Sequence, residues 1–176
     1  MLIKNYINEL KVSLDKLEEQ ETLLNLMLKI LEMKGKTIFV CGNGGSSATA
    51  SHMVNDLQKI GNLNALCLTD NTPLLTAWAN DDCYENVFMN QLKSVAKPFD
   101  ILIVISGSGT SPNIVKAVEW AKENKMYVFG LVGTDGGKVK KLIDTCIHIP
   151  TDMLHFEDIS MVISHAIAEK LREKII

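Results

Sequence analysis

Hydrophobic and polar positions change period along the 176-residue chain. Over residues 2–34, Leu10, Leu14, Leu17, Leu24, Leu28 and Leu31 recur at spacings of three, four and seven, with Lys and Glu between them. That is the pattern of one long amphipathic helix or two shorter ones. Short apolar runs then alternate with helical patterns. Strands are expected at "TIFVC" (37–41), "LNALCLT" (63–69), "DILIVIS" (100–106), "MYVFGLVG" (126–133) and "TCIHIP" (145–150). Helices are expected from the first glycine-rich turn to about residue 60, over 72–96 as one or two segments, over 111–125, briefly over 137–143, and from about 155 to the end. Pro73 and Pro112 suit first helical turns.

Strands that are apolar throughout, each followed by a helix, imply a parallel sheet covered on both sides. The expected fold is therefore an α/β three-layer sandwich, with a five-stranded parallel sheet and an N-terminal helical extension. No repeat or linker interrupts the pattern, so residues 1–176 are expected to form a single domain. The apolar stripe of residues 1–34 suits either covering the core or contacting another subunit. Right-handed crossovers gather the strand-to-helix turns at the carboxyl edge of the sheet, where ligands bind.

Two of those turns are unusual. The first is Gly42-Asn43-Gly44-Gly45-Ser46-Ser47. It lacks the Lys of a P-loop and fits the dinucleotide fingerprint only in part, since Ser47 stands at the third glycine position. The second is Ser106-Gly107-Ser108-Gly109-Thr110-Ser111, followed by Pro112 and a helix. Hydroxyls and backbone N–H groups at a helix N-terminus make a cage for a phosphate dianion without arginine. One such loop is equally well a polar turn with Ser111 as N-cap; two of them, on the first and third strands, point to one small phosphorylated ligand between them.

Acid–base candidates lie on the flanking helices. His52 and Asp56, four apart, share a helix face beside the first turn, a spacing that serves metal ligation or proton transfer. On the last helix, Glu157 stands eight residues before His165 and Asp158 seven before it; Asp158 aligns better by helical geometry. His148 and His155 read as structural residues.

Composition narrows the classes. The net charge is −3 and no basic run occurs, which gives no support for nucleic-acid binding. No window has 18 consecutive apolar residues, and the acidic N-terminus lacks a signal-peptide core, so no membrane association is expected. Cys41, Cys67, Cys83 and Cys146 are scattered without a C-x-x-C pair, and are read as reduced core residues of a cytoplasmic protein.

Gly42-Asn43-Gly44-Gly45-Ser46, with "ISGSGTSPNIVKAVEWAK" some sixty residues on, resembles the sugar isomerase (SIS) domain family, and within it the phosphoheptose isomerases. The likeness extends to the helical N-terminus, "TAWANDDCYENVF" and the last helix. It implies a flavodoxin-like SIS domain and a homotetramer with sites at subunit interfaces. It implies an aldose–ketose isomerase acting on a phosphorylated sugar, converting D-sedoheptulose 7-phosphate through an enediol to D-glycero-D-manno-heptose 7-phosphate for lipopolysaccharide or capsule heptose synthesis.

The resemblance also sets out a site. His52, Asp56, Glu157 and His165 would converge on the substrate and can hold a zinc ion, one per subunit. Asp56 stands where the family has Glu, Glu157 where it has Gln, and Ser160 where a His is common. A second carboxylate strengthens a site for zinc or another divalent cation. Facing a phosphosugar, it calls for a cation or a bound proton beside it. Asp56 is assigned as base and His165 as acid, roles that could be exchanged, while His52 and Glu157 polarise the carbonyl or order the site. Ser46, Ser106, Gly107, Ser108 and Ser111, with the N–H groups of Asn43, Gly44 and Gly45, would hold the phosphate, and Asn80 and Asp81 would contact sugar hydroxyls. The main rival is a non-catalytic SIS tetramer, a sugar-phosphate sensor or replication-initiator adaptor; the retained acid–base set weighs against it. A nucleotide-binding domain with Asp70 at a ribose is a further rival, disfavoured by the missing third glycine.

Overall fold

The computed structural model describes residues 2–31 and 33–173, with the Glu18 side chain left aside. The N-terminal stripe is two helices, α1 (Leu2–Glu18) and α2 (Glu21–Leu31). Five strands follow: β1 (Ile38–Gly42), β2 (Ala65–Cys67), β3 (Ile101–Ser106), β4 (Tyr127–Gly133) and β5 (Thr145–Ile149). Between and after them lie α3 (Gly45–Lys59), α4 (Thr72–Asp81), α5 (Val87–Val95), α6 (Pro112–Glu123) and α7 (Met153–Glu173). The helix expected over 72–96 is two, joined through a 3₁₀ turn at Tyr84–Asn86, and the short helix expected over 137–143 is a 3₁₀ turn at Val139–Lys141. Residues 33–36 do not continue α2; Glu32 and the last three positions of the expected final helix lie outside the described residues.

The sheet is parallel throughout, in the order β2-β1-β3-β4-β5. Its topology is the flavodoxin-like one: the chain steps from β1 outward to β2, then returns to β3 on the other side of β1. Alternate residues serve opposite layers. Ile38, Val40, Ile101, Ile103, Ile105, Phe129 and Leu131 pack beneath α2, α3 and α7 with Met27, Met53, Leu57, Phe156 and Ile163. Phe39, Cys41, Leu102, Val104, Val128 and Val132 face α5 and α6 with Phe88, Leu92, Ile114 and Val118. All residues of β1 and β3 are buried, which is why both read as unbroken apolar runs. Asp100 joins their amino ends, its two carboxylate oxygens accepting from the N–H groups of Thr37 (3.0 Å) and Lys97 (2.8 Å).

Of the cysteines, Cys41 and Cys67 are core residues, whereas Cys83 and Cys146 are only half-buried, because one lies in the loop after α4 and the other on the edge strand. Burial pushes the Cys41 thiol far above its ordinary range.

The break between α1 and α2 has a use. The Gln20 side chain donates to the His148 carbonyl (2.7 Å) and accepts from the His148 N–H (2.8 Å), completing the ladder of β5 with a side-chain amide. His148 itself donates through Nε2 to the Thr134 carbonyl (3.0 Å) and accepts at Nδ1 from Lys140 (3.1 Å).

A second tie holds α1 to α7. Buried His155 stacks on Tyr6, with ring centroids 4.2 Å apart. Its Nδ1 meets the Asp152 carboxylate and its Nε2 meets the Tyr6 carbonyl at 3.2 Å. Both partners accept hydrogen bonds, so the contact favours the protonated ring, which can donate through both nitrogens. The hydrogen bond to Asp152 raises the His155 pKa and holds the Asp152 carboxyl below its usual range; Glu9 adds to the rise. The Tyr6 hydroxyl donates to Asp158 (2.6 Å), which raises its own pKa to about 12.

Because folding raises the His155 pKa, the tie contributes in full below the ordinary histidine value of about 6.5 and is lost as pH climbs through the folded value. Tm measured against pH should therefore show a His155→Gln variant furthest below the parent near pH 6, with the gap closing as pH rises. A gap independent of pH would mean that the ring is held neutral.

Candidate active site

Both unusual turns sit where the chain reverses direction across the sheet, at the carboxyl ends of neighbouring β1 and β3. Between them lies a cavity of about 200 Å³ lined by Asn43, Gly44, Gly45, Ser46, Ser106, Gly107, Ser108 and Ser111, with Ile105, Met153 and Glu157. The eight expected phosphate-turn residues thus surround one space. Gly44, at φ 56° and ψ −127°, holds a conformation open to glycine alone and starts α3 without a side-chain cap, so the first N–H groups of α3 have no partner within the helix. Ser111 occupies the N-cap position of α6 but makes no capping bond, which leaves its hydroxyl to the cavity. Ser106 Oγ accepts from the Gly109 N–H (3.1 Å) and Ser108 Oγ from the Thr110 N–H (3.2 Å). With those acceptor sites used by the backbone, the hydroxyl protons can turn toward an anion. Among the described residues no Lys or Arg lines the cavity, so the positive field comes from N–H and O–H dipoles.

The helices behind the turns pack together and carry the acid–base set. His52 Nε2 lies 3.0 Å from His165 Nε2 and 3.3 Å from Asp56 Oδ2. Asp56 is buried, and its other oxygen accepts from Asn55 (3.0 Å), which leaves Oδ2 to the histidines. The ligand atoms of His52, Asp56 and His165 all lie within 4.8 Å of one another. Two imidazoles and a carboxylate converging this closely, with a face open to solvent, are a donor set suited to zinc or a similar divalent ion. Ile60, Glu169 and Arg172 line the adjoining cavity of about 310 Å³. Arg172, seven residues beyond His165 on the same helix face, pairs with Glu169 (2.6 Å).

The expected fourth member stands apart. Glu157 is not in the His52–Asp56–His165 cluster; its carboxylate lies over Gly45 and lines the turn cavity. The choice between Glu157 and Asp158 also resolves against the simple spacing argument. Asp158 is taken by the Tyr6 hydroxyl from α1, while Glu157 faces the cavity. Asn80 and Asp81 end α4, are exposed, hydrogen-bond each other at 2.8 Å, and do not line either cavity. Ser160, which stands where the family resemblance puts a His, is fully buried and has no hydrogen-bond partner among the described residues. Met153 was missed: exposed at the start of α7, it lies over Gly107 and closes one side of the turn cavity.

The chain is thus a parallel α/β sheet with a hydroxyl-lined cavity at its switch point. The SIS domain family model matches residues 5–133, and the chain belongs to that family. Among its relatives is the phosphoheptose isomerase of Helicobacter pylori (strain P12), 42% identical over 150 residues, covering 81% of this chain and 77% of the relative. The solved phosphoheptose isomerase of Neisseria gonorrhoeae superposes with a TM-score of 0.88 at 30% identity over 97% of each chain. That of Francisella tularensis gives 0.91 at 26% identity, over 97% of this chain and 96% of its own.

Two glycines of the cavity should respond differently to a methyl group. A Cβ at Gly109 would run into the Gly136 carbonyl from a φ of +63°, with backbone on both sides of the contact. A Cβ at Gly45 would meet only the end of the Glu157 side chain, which can move. Gly109→Ala should lower Tm by at least about 4 °C, whereas Gly45→Ala should lie within about 2 °C of the parent. Calorimetry on both variants checks this; equal losses would mean that Glu157 is held as rigidly as backbone.

Proposed function

We propose that the chain is an aldose–ketose isomerase that converts D-sedoheptulose 7-phosphate to D-glycero-D-manno-heptose 7-phosphate. The observation that carries the reading is the placement of an anion cage and an acid–base cluster along one seam between α3 and α7. His52 lies two helical turns beyond Gly45, about 10 Å along the axis. From the phosphorus to C2 of a heptulose 7-phosphate there are seven single bonds, about 9 Å when extended at ordinary bond lengths. A phosphate seated between the turns would present C1 and C2 to Asp56 and His165, and a much shorter sugar phosphate would fall short of them.

In this reading Ser46, Ser106, Ser108 and Ser111, with the N–H groups of Asn43, Gly44 and Gly45, hold the phosphate. Asp56 removes the proton from C1 as the C1–C2 double bond of the enediol forms, and His165 donates a proton to the C2 oxygen. Return of the carbon-bound proton to C2, with loss of the O1 proton, gives the aldose. The roles of Asp56 and His165 are exchangeable. His52, Asp56 and His165 would hold a zinc ion, one per subunit, which supplies Lewis-acid polarisation of the carbonyl when bound. Glu157, whose carboxylate lines the cage over Gly45, would accept a hydrogen bond from a sugar hydroxyl.

The working form is read as a cytoplasmic homotetramer of single-domain subunits, with product directed to lipopolysaccharide or capsule heptose. Leu2, Ile3, Ile7 and Val12 of α1 are exposed apolar residues, and no residue of α4 is buried, which supports contact with other copies through both elements. Asn80 and Asp81 at the end of α4 would then serve a neighbour's site. No helix among the described residues is long and apolar enough to cross a membrane.

Proton NMR of sedoheptulose 7-phosphate with the purified protein should show new anomeric signals of an aldoheptose phosphate. Asp56→Asn should lower kcat by about 10² to 10⁴-fold, the usual contribution of a positioned general base, and His165→Ala by a similar factor. Absence of turnover in a folded protein, with and without added zinc, would overturn the assignment. Zinc titrated into the chelator-treated protein should bind at about one ion per chain, at least tenfold more weakly in His52→Ala. Equal binding by the variant would remove the His52 cluster as the metal site.

A further inference from the structure

The Asn43 side chain, at the rim of the cavity, is engaged by two other side chains. Its Nδ2 donates to Asn113 Oδ1 (2.9 Å), and its Oδ1 accepts from Asn113 Nδ2 (2.8 Å) and from the Tyr84 hydroxyl (3.0 Å). Asn113 is 2% exposed and lies one residue inside α6, whereas Asn43 belongs to the first turn. The two amides therefore close a reciprocal ring between residues seventy positions apart in sequence. Its orientation is fixed from one end: the Ile114 N–H, in the first turn of α6, donates to Asn113 Oδ1 (3.0 Å), so that oxygen cannot be exchanged with its nitrogen. The Asn113 amide then presents N–H to Asn43 Oδ1, and each carbonyl oxygen accepts two bonds.

We propose that Asn113 and Tyr84 are positioning residues for the phosphate cage, acting through Asn43. The cage is built from two turns that share no backbone hydrogen bond with each other among the described residues. Each supplies donors aimed at one anion, so the distance between the turns sets how many donors reach it at once. The Asn43–Asn113 ring pins the first turn to the start of α6, directly after the Ser106–Ser111 turn. The Tyr84 hydroxyl pins the same atom to the segment after α4. Neither Asn113 nor Tyr84 lines the cavity, so neither is a binding residue. Tyr84 is exposed and packs little, which separates its hydrogen bond from any role in the core. Amides suit this task better than an ion pair, since they hold the turns together without placing a charge beside the phosphate.

The test is a double-mutant cycle read on phosphate recognition, and its turnover arm rests on the isomerase reading. Asn113→Ala and Asn43→Ala should each raise KM for sedoheptulose 7-phosphate and the inhibition constant of inorganic phosphate by the same factor, about tenfold, the scale of one or two hydrogen bonds. kcat should change by less than about threefold, because the acid–base cluster lies two helical turns away. The double variant should be no worse than the poorer single one, since both remove the same ring. Tyr84→Phe, which leaves the core untouched, should raise both constants about threefold in the parent and not at all in Asn43→Ala. It keeps the test open where Asn113→Ala does not fold. Factors that multiply in the double variant, or a fall in Tm with unchanged phosphate inhibition, would overturn the proposal. Calorimetric binding of inorganic phosphate to the same variants separates the two readings. Loss of turnover in the parent with phosphate binding intact would strike the isomerase assignment and leave the ring testable.

Discussion

The ladder between β1 and β3 joins strands that are far apart in sequence, pairing Ile38 with Ile101 through to Gly42 with Ile105. Its last rungs set the level at which both turns leave the sheet. Slipping this register by one residue would turn every buried side chain of one strand to the opposite layer, exchanging the partners of Phe39 and Val40, and would separate the two turns. Because both strands are apolar on both faces, burial fixes the register from above and below. The cavity between the turns is a consequence of that pairing, and the groups that line it follow from which helices the next residues start.

Those helices explain the division of labour. α3 and α7 run side by side with small or flexible contacts at the turn end, where Glu157 lies over Gly45, and with the histidines further along. A residue larger than glycine at position 45 would compete with Glu157 for space. Backbone and hydroxyl groups thus line the cavity at the turn end, and the titratable side chains stand further along the two helices.

Much of this was legible in the sequence, for reasons of differing strength. The five strands appear as apolar runs because burial on both faces leaves no alternation to misread, and the turns appear because glycine and serine crowd where a helix begins. His52 and Asp56 share one helix, so their spacing alone brings them together. What escaped is what depends on packing between distant segments. Helical spacing favoured Asp158 over Glu157, but α1 returns to α7 and Tyr6 takes Asp158. Glu157 and His165 were expected in one cluster, yet two helical turns leave the carboxylate at the cage. Nothing in the pattern of residues 2–34 marks Gln20 as the break, because its partner is the backbone of a strand 128 residues away. The Asn113 amide was hidden for the same reason.

Gln20 has a consequence beyond its own two bonds. A parallel sheet of this kind ends in two edges whose unpaired N–H and C=O groups can recruit another chain. β2 limits the risk at one edge by being three residues long. At the other, β5 is five residues long, and the side-chain amide occupies the site where an added strand would begin to pair. A side chain that bonds as a peptide does, but cannot extend into a strand, therefore acts as a terminator: it denies an incoming strand its pairing site and so guards a hydrophobic sheet against edge-to-edge aggregation.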